Sequence, residues 1–356
     1  MNVLTDFHHG ALLRSIFYLF TDRLGFNLDV IDIKTGNYLS EKMGVRSAFS
    51  NFLPQNFEKQ TSGGIDLDVW EKKVGLATFK DLEEKKYDLY IPTIPASTIH
   101  VLNLMKEKNR RDLKVLAFTG NDHMQIDESI TDGLISSDEM TYRFASNEIP
   151  KIWTVQEIGR HFYSSKYHEI TNENQYTIGC FINALPLYNQ ISKVNSITEG
   201  EKEINTYEIW KECENNGKFI FKSYGHGCAN GSFADKDLND VYYDSGSIWH
   251  FKVSEGWGHS LLQSMAAGRI VFVLDQIFKW KSAGKYLIPE YTAFHCDWNS
   301  IDTLKKIEYL TSDLDRMNEM SYRCWKIAQM IPDYEYEAER VKIWLEKEIF
   351  KKTIFN

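Results

Sequence analysis

The chain has 356 residues, 43% of them hydrophobic, and a formal net charge of −9 from 50 acidic against 41 basic side chains. That length suits two domains of ordinary size, and the acidic balance argues against a broad basic face tracking a nucleic-acid backbone. The five cysteines (Cys180, Cys213, Cys228, Cys296 and Cys324) are odd in number and widely spaced, with no Cys-x-x-Cys, which speaks against a disulfide framework or zinc site. The N-terminus lacks a basic stretch and carries Asp6, and no apolar run reaches membrane-spanning length, so a soluble cytoplasmic protein is expected.

Residues 2–7 read as a strand and His8-His9-Gly10 as a turn. Leu12, Leu13, Ile16, Phe17, Leu19 and Phe20 then recur at helical spacing as far as Gly25. A second strand follows at 27–33, which makes a βαβ opening. Residues 34–75 are polar and rich in Gly, Asn and Phe, and read as an irregular excursion. Alternation resumes with a strand at 87–91, a helix at 96–108, and strands at 113–118, 133–137 and 151–153. Residues 160–175 lack periodicity and are placed as a linker. A second series of strands runs through 176–181, 219–224, 248–252 and 270–274, followed by helical stretches at 303–331 and 335–351. Strands alternating with helices imply parallel sheets clothed by helices. The expected organisation is a first domain over 1–165, a second over 176–334, and a terminal helix over 335–356.

Residues 253–274 carry the densest signal. Glu255 stands before Gly256-Trp257-Gly258, glycines that let a backbone approach a ligand. A helix opens at His259 or Ser260, where free N–H groups and the dipole favour an anion. Leu261, Leu262, Met265 and Ala266 give its buried face, Gly268 its stop, and 271–274 a strand covered on both faces.

This stretch resembles the donor-site motif of retaining glycosyltransferases with the GT-B fold, the glycogen-synthase-like and sucrose-synthase-like group, here of phage or bacterial type. Glu255, Gly256, Trp257, Gly258, Met265, Ala266 and Gly268 fall at matching places. Gln263 stands where a second Glu is usual, and Ser264 where Ala is usual. The resemblance implies an α/β chain of two doubly wound Rossmann-like domains facing across a cleft, with the terminal helix packing back on the first. It implies transfer of a sugar from a nucleotide-diphosphate sugar, a UDP-sugar being favoured, to an acceptor hydroxyl, with retention and without metal or permanently bound cofactor. Glu255 would hold the sugar, Gly256, Trp257, Gly258, His259 and Ser260 the diphosphate side, and Gln263 the ribose.

Further candidates lie after the other strands. The resemblance implies that His123 would approach the donor sugar. His9, or its neighbour His8, would meet the acceptor or its proton beside Gly10, and Tyr224 and Gly225 would border the base, with His226 in the same loop. The family's Gly-Arg-x-x-x-x-Lys-Gly segment does not follow residues 180–183, which leaves Lys193, Lys222 and Arg269 as nearby cations. Thr93, Ile94 and Pro95 would shape the acceptor side. Asp66-Leu67-Asp68 has metal-site spacing but lies in the irregular segment and is not expected to bind one. The acceptor could be a glycan, a small molecule or a modified DNA base. Rival readings are a phage-type DNA-base transferase, a degenerate member binding nucleotide sugar or a partner without turnover, and an epimerase or phosphorylase on the same fold.

Overall fold

The structure, a computed structural model, describes residues 1–6, 10–43, 73–93, 97–120, 126–163, 165–182, 185, 196–199, 202–225, 227–233, 237–253, 255–279, 281–331 and 334–351. The chain divides into two compact units, one of residues 1–157 with 332–356 and one of 158–331.

The first unit holds a sheet of β1 (Asn2–Thr5), β2 (Asn27–Ile31), β3 (Val74–Ala77), β4 (Leu89–Ile91), β5 (Lys114–Thr119), β6 (Gly133–Ser136) and β7 (Lys151–Trp153). Their order is β3-β2-β1-β4-β5-β6-β7, and every pairing is parallel. The helix α1 (Gly10–Ile16) leads into a wider π turn over Phe17–Arg23. Its apolar residues join Val3, Leu28, Val30, Leu116 and Phe118 in one core. The same core takes in Ala338, Val341, Trp344, Leu345 and Ile349 from a helical segment spanning residues 334–350. Apolar residues on both sides of every central strand are the expected pattern for a parallel sheet covered on both faces.

This unit departs from the pattern read off the chain in several places, β3 and the helix Phe79–Glu84 among them, since no element is expected between 34 and 87. Ile33–Met43 is a helix, α2, although its composition is polar. Asp32 explains the start, since its carboxylate accepts from the Thr35 N–H at 2.8 Å and so caps the first turn. The helix expected over 96–108 is two, Thr98–Leu104 and Glu107–Arg110, because Met105 and Lys106 are extended.

The second unit is built on β8 (Thr177–Cys180), β11 (Ile220–Ser223), β12 (Ser247–Trp249), β13 (Ile270–Leu274) and β14 (Ala293–Cys296), in the order β11-β8-β12-β13-β14 and all parallel. A separate antiparallel hairpin, β9 (Ser196–Glu199) with β10 (Lys202–Asn205), precedes β11. The helix α3 (His259–Ala266) packs between β13 and the long helix Leu314–Met330. That long helix is separate from Ser300–Thr311: Asp313 breaks the run and caps the second helix by accepting from the Arg316 N–H at 3.0 Å. In this strand order β11 lies on one side of β8, and β12, β13 and β14 on the other, so the direction of winding across the sheet reverses between β8 and β12. Ligands of doubly wound sheets bind beyond the carboxyl ends of the strands at such a point.

Candidate functional site

β12 ends at Trp249, and the chain then runs through His250, Lys252 and Glu255 into α3. The segment therefore leaves the sheet at the reversal point described above. Gly258 has φ of 83°, a left-handed conformation that a side chain would resist. A Cβ there would also lie 3.3 Å from the Ala283 Cβ and 3.8 Å from the Glu255 Cγ. The first intrahelical bond of α3 runs from the Leu262 N–H to the Gly258 carbonyl at 2.9 Å. The amides of residues 259–261 lie upstream of it, and a glycine N-cap offers them no side-chain acceptor. His259 and Ser260 are half-buried at this end, beside the buried Gly256 and Trp257. The Trp257 ring packs edge-on against Tyr286 at 6.4 Å between centroids.

Glu255 is 5% exposed, and two neighbours converge on a single oxygen of its carboxylate. The Lys252 Nζ donates to Oε2 at 3.1 Å, and the His250 Nε2 lies 3.1 Å from the same atom. A carboxylate accepts, so the imidazole donates through Nε2. Oε1 takes no hydrogen bond from any described residue. Burial alone would push this carboxyl up. Lys252 and then His250 outweigh burial and hold it well below the usual carboxylate range. The result is a buried anion with one oxygen anchored and the other available as an acceptor, beside a helix end that offers donors.

Gln263 is buried one turn into α3. Its Nε2 donates to the Ile158 carbonyl at 2.8 Å, which fixes the orientation of the amide. Its Oε1 lies 3.4 Å from the Tyr242 hydroxyl, which is closer, at 3.1 Å, to the Ser260 carbonyl. Tyr224, after β11, connects to this group through rings: it stacks on Phe181 at 4.9 Å, and Phe181 packs on Tyr242 at 4.0 Å. Burial, then Asp244, pushes the Tyr224 phenol up to about 12, so it acts as a neutral group. Gly225 has φ of 122°, and its N–H bonds to the Gly231 carbonyl at 2.7 Å, closing the loop on itself.

The cations fall differently from the sequence reading. Arg269 is fully buried, bonded to the carbonyls of Tyr242 (3.2 Å) and His168 (3.3 Å), and lies over the Tyr243 ring. Burial lowers its guanidinium to about 10. It ties backbone segments together and is not presented to a ligand. Lys222 is half-buried on β11, and Lys193 lies outside the described residues. The cation at the motif is Lys252, which the sequence reading missed along with His250. A Lys and a His three and five residues before a Glu, in a loop of no regular period, give no pattern to read.

His8, His9, His123, His226, Ile94, Pro95, Asp66 and Asp68 also lie outside the described residues. Gly10 is the first residue of α1. The buried Thr93 donates its N–H and hydroxyl to the Asp6 carboxylate, which joins the ends of β1 and β4. Among the described residues no cluster of three or more His, Cys, Asp or Glu could hold a metal ion, and no helix is long and apolar enough to cross a membrane.

No family model matches the chain, and no curated protein resembles it in sequence. Solved structures do resemble it in fold. HepE of Anabaena (Alr3699), solved with UDP and glucose, superposes with a TM-score of 0.64 at 12% identity, covering 97% of this chain and 99% of that one. HepE has also been solved with UDP-glucose. Sucrose-phosphate synthase of Thermosynechococcus elongatus gives 0.57 at 10% identity over 99% of each chain. A glycosyltransferase of Rickettsia africae gives 0.55 at 13%, covering 97% of this chain and 98% of that one. Identity this low establishes architecture, and with the parallel seven- and five-stranded sheets it shows that the chain has the two-domain, Rossmann-like GT-B fold.

Proposed function

We propose that the protein is a glycosyltransferase that moves a sugar from a nucleoside-diphosphate sugar, a UDP-sugar by preference, to an acceptor hydroxyl. The observation that carries this reading is Glu255: a buried carboxylate, anchored through Oε2 with Oε1 left to accept, beside the glycine-capped N-terminus of α3 at the switch point of the sheet. Solved neighbours bound to UDP and UDP-glucose support the choice of donor.

In this reading Oε1 of Glu255 accepts hydroxyl hydrogens of the donor sugar. The amides of residues 259–261, with the positive end of the α3 dipole, stabilise the charge that grows on the departing diphosphate. Lys252 adds a cation next to that position. Gln263 accepts from the ribose through Oε1, since its nitrogen is committed to Ile158. Tyr224 and Gly225 border the base. His9 and His123 keep their roles toward acceptor and donor sugar. Transfer proceeds with retention and without a metal, the departing phosphate taking the acceptor proton. The acceptor is a glycan, a small molecule or a modified DNA base, and the site of action is the cytoplasm.

The test is a thermal-shift screen of nucleoside diphosphates and their sugar conjugates, with and without EDTA, followed by release of nucleotide in turnover. A ligand at about a hundred times its dissociation constant stabilises the folded state by about 2.7 kcal/mol. A shift with UDP or a UDP-sugar, insensitive to EDTA and diminished in Glu255→Ala, is the expected result. No shift with any nucleotide refutes the reading. One observation favours a second reading, nucleotide-sugar binding without turnover: Gln263 brings no charge and half its amide is already engaged. Tight binding without transfer would select it.

A further inference from the structure

The segment between β13 and β14 carries no part of the motif, yet three of its side chains rest on it. The helix α4 (Asp275–Phe278) places the Phe278 ring edge-on to His250 at 5.7 Å, and His250 holds Glu255. Ala283, in the tight turn Ser282–Tyr286, sits against Gly258. Tyr286 meets the Trp257 ring at 83°. The segment has little freedom of its own. The Lys281 N–H bonds to the Phe278 carbonyl at 3.2 Å, and the Gly284 N–H to the Lys281 carbonyl at 2.8 Å. A side chain at Gly284 would collide with the Phe278 carbonyl oxygen.

Its two ends meet on one imidazole. His295 stands on β14, in register with Val273 of β13. Its Nδ1 lies 2.9 Å from the Asp275 carboxylate and its Nε2 2.7 Å from the Leu287 carbonyl. The ring therefore bridges the Asp275 side chain and the Leu287 backbone. The Thr292 hydroxyl adds a bond of 2.7 Å to the Tyr286 carbonyl, which secures the far end a second time. The near end has Asp275 with His295.

We infer that residues 275–279 and 281–287 form a strap over the Glu255–Gly258 turn, and that Asp275 and His295 are positioning residues for the nucleotide-sugar site because their contact fastens it. The inference rests on the function proposed above. Neither residue touches the motif. Each acts through Phe278, Ala283 and Tyr286, which set the His250 ring, the left-handed Gly258 and the Trp257 ring.

The test uses the full chain and UDP as probe. The Asp275 side chain is half exposed, so its variants should fold. Asp275→Ala removes the acceptor at Nδ1, whereas Asp275→Asn keeps a carbonyl oxygen there. Loss of one charge-assisted hydrogen bond should weaken UDP about tenfold in Asp275→Ala and in His295→Ala, with Asp275→Asn, which keeps a neutral acceptor, between Asp275→Ala and the native chain. Amide hydrogen exchange over residues 281–287 should rise in the two alanine variants. A UDP affinity in Asp275→Ala within twofold of native overturns the inference, as does Asp275→Asn behaving like Asp275→Ala. A fall in melting temperature with affinity unchanged marks the contact as structural only and also overturns it. If the native chain binds no nucleotide, the proposed function fails. Exchange then decides the strap by itself: equal exchange in native and Asp275→Ala chains overturns it, and faster exchange in the variant upholds the fastening.

Discussion

Lys252 and Glu255 form a pair that should respond unequally to losing either partner. Lys252→Met leaves a carboxylate that is 5% exposed with, among the described residues, only His250 to oppose its burial. Removing one partner of a fully buried ion pair costs about 3–5 kcal/mol. The Lys252 side chain is 30% exposed, so solvent already screens part of the pair, and a cost of about 2–3 kcal/mol follows. Glu255→Gln leaves a lysine that can turn to water and an amide carbonyl that still accepts from His250, a loss of about 1 kcal/mol. In the double variant the stranded charge is gone, so it should be more stable than Lys252→Met alone. The coupling should be about 1–2 kcal/mol. Urea titration followed by tryptophan fluorescence measures all four chains. If Lys252→Met is no worse than Glu255→Gln, or the two effects add, the carboxylate is not held by Lys252 and the reasoning fails.

Acid should act on the same group. The folded Glu255 carboxyl lies below its unfolded range, so its stabilisation is present above that range and is lost as pH falls through the folded value. Native chains should lose stability more steeply than Glu255→Gln below about pH 4.5, the usual carboxyl value, as measured by urea midpoints across pH. Gln263→Glu, which restores the residue usual in the resembling family, should weaken the protein here. It sets a carboxylate oxygen against the Ile158 carbonyl, a cost of about 1–3 kcal/mol, and should lower UDP affinity when both are measured by thermal shift. Gly258→Ala must adopt φ of 83° and press on Ala283, which costs about 1–2 kcal/mol in stability and should reduce UDP binding further by moving the first amides of α3.

The residues show why some of this was legible and some was not. β13 and α3 could be read because an unbroken apolar run and a helical repeat of Leu261, Leu262 and Met265 leave few alternatives, and because Gly258 and Gly268 both take positive φ in the structure. β14 was missed: Ala293–Cys296 mixes small, aromatic and polar residues, and pairing with β13 makes it a strand more than its own composition does. α2 was hidden in a polar stretch because its start depends on one Asp cap. At the candidate site, glycine turns and Glu255 announce themselves by type and spacing. The surroundings of Glu255 do not. Lys252 and His250 reach it through a loop without period, Ile158 meets Gln263 across 105 positions, and His295 acts through a segment that shares no motif. These are tertiary facts, fixed by where strands end and not by local pattern.

The helical segment of residues 334–350 lies in the core of the first unit, through Ala338, Val341, Trp344, Leu345 and Ile349. During synthesis, then, the unit begun first cannot be finished first. The ribosome must deliver all of residues 158–331, an uninterrupted unit, while the earlier sheet waits with an open apolar face along the π turn Phe17–Arg23. The nascent chain should be most exposed to chaperones and proteases in that interval, and a stop codon near residue 331 would strand it there.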